Sequence, residues 1–283
     1  MKFTLLAQPA DLMGHLDDPR VLVVDCRHDL ADQGAGEAAW QHSHIPGAAY
    51  LHLDRDLSGP VTPATGRHPL PAPEAFAATL GRLGVTPETQ VFAYDAGAGF
   101  FAARLWWMLR WIGHDAVAVL DGGLAAWRAA GGKLDQSTRP RTGTLFTPRL
   151  RPELAVDAGT LAAALAAGSH LLVDARGPER FAGAVEPIDP VAGHVPGAVN
   201  HPCTDNVGPD GRFLAPADLA RRWQASIGER RGATLICMCG SGVTACHDLL
   251  ALELAGLPGG LLYPGSWSEW IRDPARPVAR GPA

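Results

Sequence analysis

The second half of this chain repeats its first. The run 21-VLVVDCR-27 returns as 171-LLVDAR-176, and 44-HIPGAAYLHLD-54 returns as 194-HVPGAVNHPCTD-205. Further along, 91-VFAYDAGAG-99 is answered by 235-LICMCGSG-242, and 121-DGGLAAW-127 by 264-PGSWSEW-270. Four matches in one order, at offsets from 143 to 150 residues, mean that one folding unit was duplicated. A length of 283 residues accommodates two ordinary domains. The polar, Pro- and Arg-rich stretch 135-DQSTRPRTGTLFTPRLRP-152 reads as the connection between them. The expected division is a first domain over 1–135, a linker over 136–152 and a second domain over 153–283.

Within each copy, short apolar runs rich in β-branched residues alternate with longer amphipathic stretches. VLVV, VFAY and AVAVL in the first copy, and LLV, TLICM and GLLY in the second, read as buried strands. The stretches 74–84 and 101–113 read as helices, the latter ending at Gly113. The pattern predicts an α/β fold in which each domain has a mostly parallel sheet flanked by helices. Asp25 and Asp174 each close a first strand two residues before an arginine, and they read as structural carboxylates for Arg27 and Arg176. His44 and His194, each before Pro-Gly-Ala, read as turn or core histidines, and Trp107 and Trp111 as core.

The chemistry concentrates in 239-CGSGVT-244. The strand before it delivers Cys239 to the carboxyl edge of a sheet, where ligands collect in α/β folds. A helix starting near Thr244 aims its unpaired N–H groups back at the loop. Gly240 and Gly242 let the backbone curl into a cradle of donors. Such surroundings favour the thiolate, the nucleophilic form of cysteine. Cys237 inside the strand and Cys246 inside the helix read as packing residues. A zinc site from Cys237, Cys239, Cys246 and His247 would have poor geometry, so no metal is expected. The dinucleotide-like 97-GAGFFA-102 is a lone match in the first copy, opposite the Cys239 loop, and reads as a vestigial loop.

Composition excludes other classes. A net charge of −5 gives no footprint for nucleic acid. No apolar run reaches the roughly 20 residues of a membrane span, and no secretory signal is legible at the N-terminus. Five cysteines, odd in number and unevenly spread, fit a reducing, cytoplasmic setting better than a disulfide framework.

The 239-CGSGVT-244 loop, the duplicated HIPGA/HVPGA element and the closing 265-GSWSEW-270 together resemble the tandem-rhodanese sulfurtransferases, over nearly the whole chain. In that family the second domain carries the catalytic cysteine and the first has lost it. Here Asp95 stands where Cys239 stands in the second copy, so the first domain is degenerate. The resemblance implies a site between the domains and a two-step exchange. The Cys239 thiolate takes a sulfane sulfur from a small anionic donor, thiosulfate or 3-mercaptopyruvate, and the persulfide passes it to a thiophilic acceptor. The acceptor is cyanide, a thiol, or a protein thiol such as thioredoxin. The loop Gly240, Ser241, Gly242, Val243 and Thr244 would cradle the persulfide charge, and no metal or organic cofactor is implied.

The resemblance also supplies donor-binding candidates. Gly240 and Ser241, in place of basic residues, are similar to the mercaptopyruvate type, in which a serine joins a histidine and an acid. The matching residues are Ser241, His68 and Asp54. Arg180 matches the first donor-binding arginine of the family. Where mercaptopyruvate enzymes have a second arginine, this chain has Ile188, so the donor stays open between the two. Some phosphatases share the rhodanese fold with a C-x5-R loop, but the residue at that spacing is Ala245. A non-catalytic rhodanese-like binding module would have lost the nucleophile in both copies. A thiol redox or arsenate-reducing enzyme would need a resolving cysteine, for which Cys246 and Cys237 are poorly placed.

Overall fold

The computed structural model describes residues 2–282 and contains two compact units. The first holds five strands, β1 (Leu6–Ala7), β2 (Val21–Asp25), β3 (Ala49–Tyr50), β4 (Gln90–Tyr94) and β5 (Val117–Leu120). Its helices are α1 (Pro9–Met13), α2 (Ala35–His42), α3 (Leu53–Asp56), α4 (Pro73–Arg82), α5 (Ala102–Trp111) and α6 (Gly123–Ala129). The second unit holds α7 (Ala158–Ala166), β6 (Leu171–Asp174), α8 (Pro178–Phe181), β7 (Val199–Asn200) and α9 (Pro216–Ile227). It continues with β8 (Leu235–Met238), α10 (Ala245–Leu254), β9 (Leu261–Leu262) and α11 (Ser266–Trp270).

The strand orders are β1-β5-β4-β2-β3 and β7-β6-β8-β9, and every pairing within them is parallel. The repeat is visible in register. Asp25 pairs with Tyr94 across β2 and β4, and Asp174 with Met238 across β6 and β8. All-apolar strands follow from this layering, because a parallel sheet covered by helices is dry on both faces. Phe92, Val119, Leu172 and Ile236 are fully buried. The tryptophans of α5 also belong to the interior, with Trp106, Trp107 and Trp111 at most 6% exposed. Gly113 ends that helix in the left-handed region, φ 91°.

The structural reading of the paired aspartates holds in both units. Asp25 receives Arg27 through Nε at 2.8 Å and the Tyr94 hydroxyl at 2.6 Å, and Arg27 also reaches the Ser43 carbonyl. Asp174 receives Nη2 of Arg176 at 2.7 Å, and the same Nη2 donates to the Gly193 carbonyl at 2.7 Å. Both carboxylates are wholly buried. Each therefore depends on its arginine, since an unpaired buried charge costs roughly 3–5 kcal/mol. His44 and His194 are turn histidines, each making an antiparallel bridge, to Asp135 and Ala279 respectively.

The division of the chain differs from a simple cut at the linker. Residues 60–69 belong to the second unit and 209–213 to the first, and the first unit extends through Arg151. The linker is packed because its polar groups find partners there. The Thr144 N–H donates to the Gly81 carbonyl, the Arg149 N–H to Ile112, and Arg141 Nη1 to the Val21 carbonyl. Arg151 forms a bidentate pair with Asp115 at 2.6 and 2.8 Å.

Candidate active site

Cys239 follows β8 directly, so its position is set by the buried strand Leu235–Met238. The strand ends there because Gly240, Ser241 and Gly242 turn the chain into α10. Gly242 has φ 76°, and a Cβ on it would lie 2.3 Å from the Pro264 carbonyl oxygen, so this corner requires glycine. The turn aims the Gly242 N–H at Sγ of Cys239, 3.2 Å away. Thr244 stands at the N-cap position of α10, with helical backbone angles and no side-chain capping bond. Cys239 is 2% exposed, which strengthens each of these dipoles by excluding water.

The closing motif at α11 latches the loop in place. The Cys239 N–H donates to Oγ of Ser266 at 3.1 Å, and that hydroxyl donates on to the Tyr263 carbonyl at 2.9 Å. The Trp267 and Ser268 N–H groups donate to the carbonyls of Cys239 and Gly240, at 3.0 and 2.9 Å. Ser266 adopts φ 53°, the one non-glycine residue with positive φ among the described residues. The strain is located where the latch needs it.

The equivalent loop of the first unit shows what such a turn binds. Asp95 occupies the position of Cys239, and its carboxylate accepts four backbone N–H groups. These come from Gly97 and Gly99 at 3.0 Å, Phe101 at 2.9 Å and Ala102 at 3.3 Å. The glycines of 97-GAGFFA-102 thus serve an internal carboxyl group. Burial pushes the Asp95 carboxyl above its ordinary value, and the four donors pull the other way without cancelling it.

Around the Cys239 loop the second unit assembles polar side chains. Nδ1 of His68 lies 2.7 Å from Oγ of Ser241, and both residues are 6% exposed. Arg180, at the end of α8, gives Nη2 to Glu186 at 2.7 Å and to Asp189 at 3.1 Å. Glu186 also lies 3.4 Å from Nη1 of Arg176. Burial pushes the Asp189 carboxyl up. For Glu186 burial acts in the same sense, but the Arg180 guanidinium and the Ile188 and Asp189 N–H groups outweigh it and hold the carboxyl below its usual value. Residues 60–69 belong to this unit, so the chain brings His68 to Ser241 across a sequence separation of 173.

Asp54 belongs to the first unit, where its Oδ2 lies 3.8 Å from Nδ1 of His52 and 3.9 Å from Nε2 of His28. Val243 and Thr244 complete the loop, and Ala245 begins α10. Burial pushes the thiols of Cys203 and Cys237 well above their ordinary value, as does burial of Cys26 in the first unit. Those three are packing residues, and Cys246 donates to the Gly242 carbonyl at 3.4 Å. One residue at the loop was not singled out from the sequence. Arg67 donates its N–H to Oγ of Ser268 at 3.1 Å and pairs through Nη1 with Asp189. Its only sequence signal was adjacency to His68.

Two parallel α/β units, one with a cysteine and one with an aspartate in the same anion-cradling turn, define a duplicated thiol-transferase scaffold. The rhodanese-like domain family matches residues 8–130 and 157–273. A probable 3-mercaptopyruvate sulfurtransferase of Pseudomonas aeruginosa is 50% identical over 99% of this chain and 100% of its own length. A putative thiosulfate sulfurtransferase of Mycobacterium tuberculosis is 41% identical over 99% and 98%. The crystal structure of SseA from Escherichia coli, a 3-mercaptopyruvate sulfotransferase, superposes with a TM-score of 0.82. It is 32% identical to this chain, with coverage of 94% of this chain and all of that one. The chain belongs to the rhodanese-like family. It is a sulfurtransferase built from two tandem rhodanese domains.

Proposed function

We propose that the protein moves a sulfane sulfur from 3-mercaptopyruvate to a thiophilic acceptor through a persulfide on Cys239, with thiosulfate as a second donor. The observation that carries this reading is the Gly242 N–H directed at Sγ of Cys239 at the carboxyl end of β8. The turn around Asp95 supports it, because the same turn there directs four backbone donors at one side chain.

The thiolate attacks the thiol sulfur of 3-mercaptopyruvate, forming the S–S bond while the C–S bond breaks. The electron pair of that bond leaves on carbon as pyruvate enolate. The thiol proton of the donor ends on that carbon, giving pyruvate, and Cys239 retains a persulfide anion. The backbone donors of residues 240–244 then hold the negative charge in the manner of an oxyanion hole. Ser241 and His68, hydrogen-bonded at 2.7 Å, form a route for the proton that must reach the enolate. With thiosulfate the leaving group is sulfite, which needs no proton, so the pair matters less. In the second step an acceptor thiolate, cyanide or a protein thiol such as that of thioredoxin attacks the outer sulfur and restores Cys239.

The relatives named for 3-mercaptopyruvate and the Ser241–His68 pair both support that donor. A cytoplasmic setting fits five free thiols, and no helix is long and apolar enough to cross a membrane among the described residues. Intact mass of the reduced protein after incubation with each donor tests the reading. One added sulfur atom is expected, removed by cyanide and absent in Cys239→Ser. A sulfur adduct that persists in Cys239→Ser would exclude Cys239 as the carrier.

A further inference from the structure

The donor segment carries Ile188 where the resemblance places a second arginine, and that side chain is 46% exposed. The structure brings a different arginine to the loop. A Cβ on Gly240 would lie 2.9 Å from Nη2 of Arg67, and 3.6 and 3.7 Å from Nη1 and Nη2 of Arg180. Two guanidiniums therefore converge on the residue that follows Cys239, and the missing Cβ of Gly240 leaves them the space.

The two cations are aligned by one shared carboxylate. Asp189 is 8% exposed, its Oδ1 accepts from Nη1 of Arg67, and its Oδ2 accepts from Nη2 of Arg180 at 3.1 Å. Glu186 takes Nε and Nη2 of Arg180, at 3.2 and 2.7 Å. The carboxylates thus hold Nη1 of Arg67 and the Nε edge of Arg180, while Nη2 of Arg67 and Nη1 of Arg180 face Gly240. Arg67 is also fixed through its backbone. Its N–H donates to Oγ of Ser268, and a Cβ on the preceding Gly66 would lie 2.5 Å from the Gly265 carbonyl oxygen. The same latch that positions Cys239 therefore positions Arg67.

We propose that Arg67 supplies the second cation of the donor site, replacing the arginine absent at 188, so that Arg67 and Arg180 together grip the carboxylate of a 2-oxo thiol acid. A carboxylate offers two coplanar oxygens, one to each planar fork, which suits paired guanidiniums better than a single point charge. The inference rests on the persulfide chemistry assigned to Cys239, and the test separates the two.

Steady-state kinetics with 3-mercaptopyruvate would be measured for Arg67→Ala, Arg67→Gln, Arg67→Lys, Asp189→Asn and the double variant Arg67→Ala/Asp189→Asn, with a thermal melt to verify folding. Loss of one charged hydrogen-bonding partner is expected to raise KM on the order of ten- to a hundredfold, with kcat within about threefold and partial rescue in Arg67→Lys. The Ala and Gln variants report the same loss, so poor folding of one leaves the other to decide. A KM within about twofold of wild type in both would overturn the inference. The double variant distinguishes gripping the donor from merely neutralising Asp189. Because Asp189 also holds Arg180, the double variant is read against Asp189→Asn alone: a KM raised above that single variant supports the grip, and a KM equal to it would reduce Arg67 to a counter-charge. If wild type itself acquired no sulfur from either donor, the persulfide reading would fall first, independently of Arg67.

Discussion

Nδ1 of His68 and Oγ of Ser241 share a hydrogen bond of 2.7 Å although 173 residues separate them in the chain. A proton route made of two side chains fails when either is removed, provided the reaction needs the proton. Ser241→Ala is therefore expected to lower kcat with 3-mercaptopyruvate about a hundredfold, the lower end of what a positioned proton donor contributes. With thiosulfate, whose leaving group needs no proton, the change should stay within about threefold. Parallel assays of one preparation on both donors check this, and equal losses on both would mean that Ser241 serves the loop and not the proton.

The two glycines of the loop separate by cause. At Gly242 an added Cβ meets the backbone of Pro264 at 2.3 Å, and φ is 76°, so neither neighbour nor residue can relax cheaply. Gly242→Ala should lower stability by about 2 kcal/mol or more and shift thermal unfolding downward. At Gly240 the added Cβ meets a side-chain end, Nη2 of Arg67, at 2.9 Å and not backbone. Gly240→Ala should keep its melting temperature within a few degrees and show its damage as a raised KM for the donor. A melting curve beside a KM measurement for each variant is sufficient.

Asp248, on the first turn of α10, is wholly buried and accepts from Nδ2 of Asn206 at 2.7 Å. Burial pushes its carboxyl well above the ordinary value. Where the unfolded chain has already lost this proton, above pH about 4, the folded state still holds it. Its contribution to stability therefore falls as pH rises from there towards the folded-state value, and is constant beyond it. His28, His114 and His201, held low by burial, act in the opposite sense and gain stability as pH rises through about 6.5. Subtraction isolates the aspartate. Relative to Asp248→Asn, wild type should lose stability steadily from pH 4 upward in denaturant titrations, and parallel curves would mean that Asp248 does not titrate on unfolding.

What could be read from the sequence was what the chain encodes locally. The duplication, the parallel α/β layers and the placement of Cys239 at a strand end followed by a glycine turn all depend on periodicity and spacing over a few residues. The Asp25–Arg27 and Asp174–Arg176 pairs were legible for the same reason, since two positions along a strand end bring carboxylate and guanidinium together. The exchange of segments 60–69 and 209–213 between the units was not legible. Neither segment carries a regular element that would announce where it packs, and the polar linker gave no sign that its donors would find the first unit.

The same division runs through the site. By itself the sequence determined that one copy keeps a thiol and the other a carboxylate in an anion-cradling turn, because the cradle is made of backbone N–H groups whose geometry the glycines control. Only the tertiary structure decided which charges stand over that turn. Arg67, Arg180, Glu186 and Asp189 come from two segments more than a hundred residues apart, and they meet because a buried carboxylate must be paired. Pairing of that kind is a property of positions in space. It leaves no periodic trace in the chain.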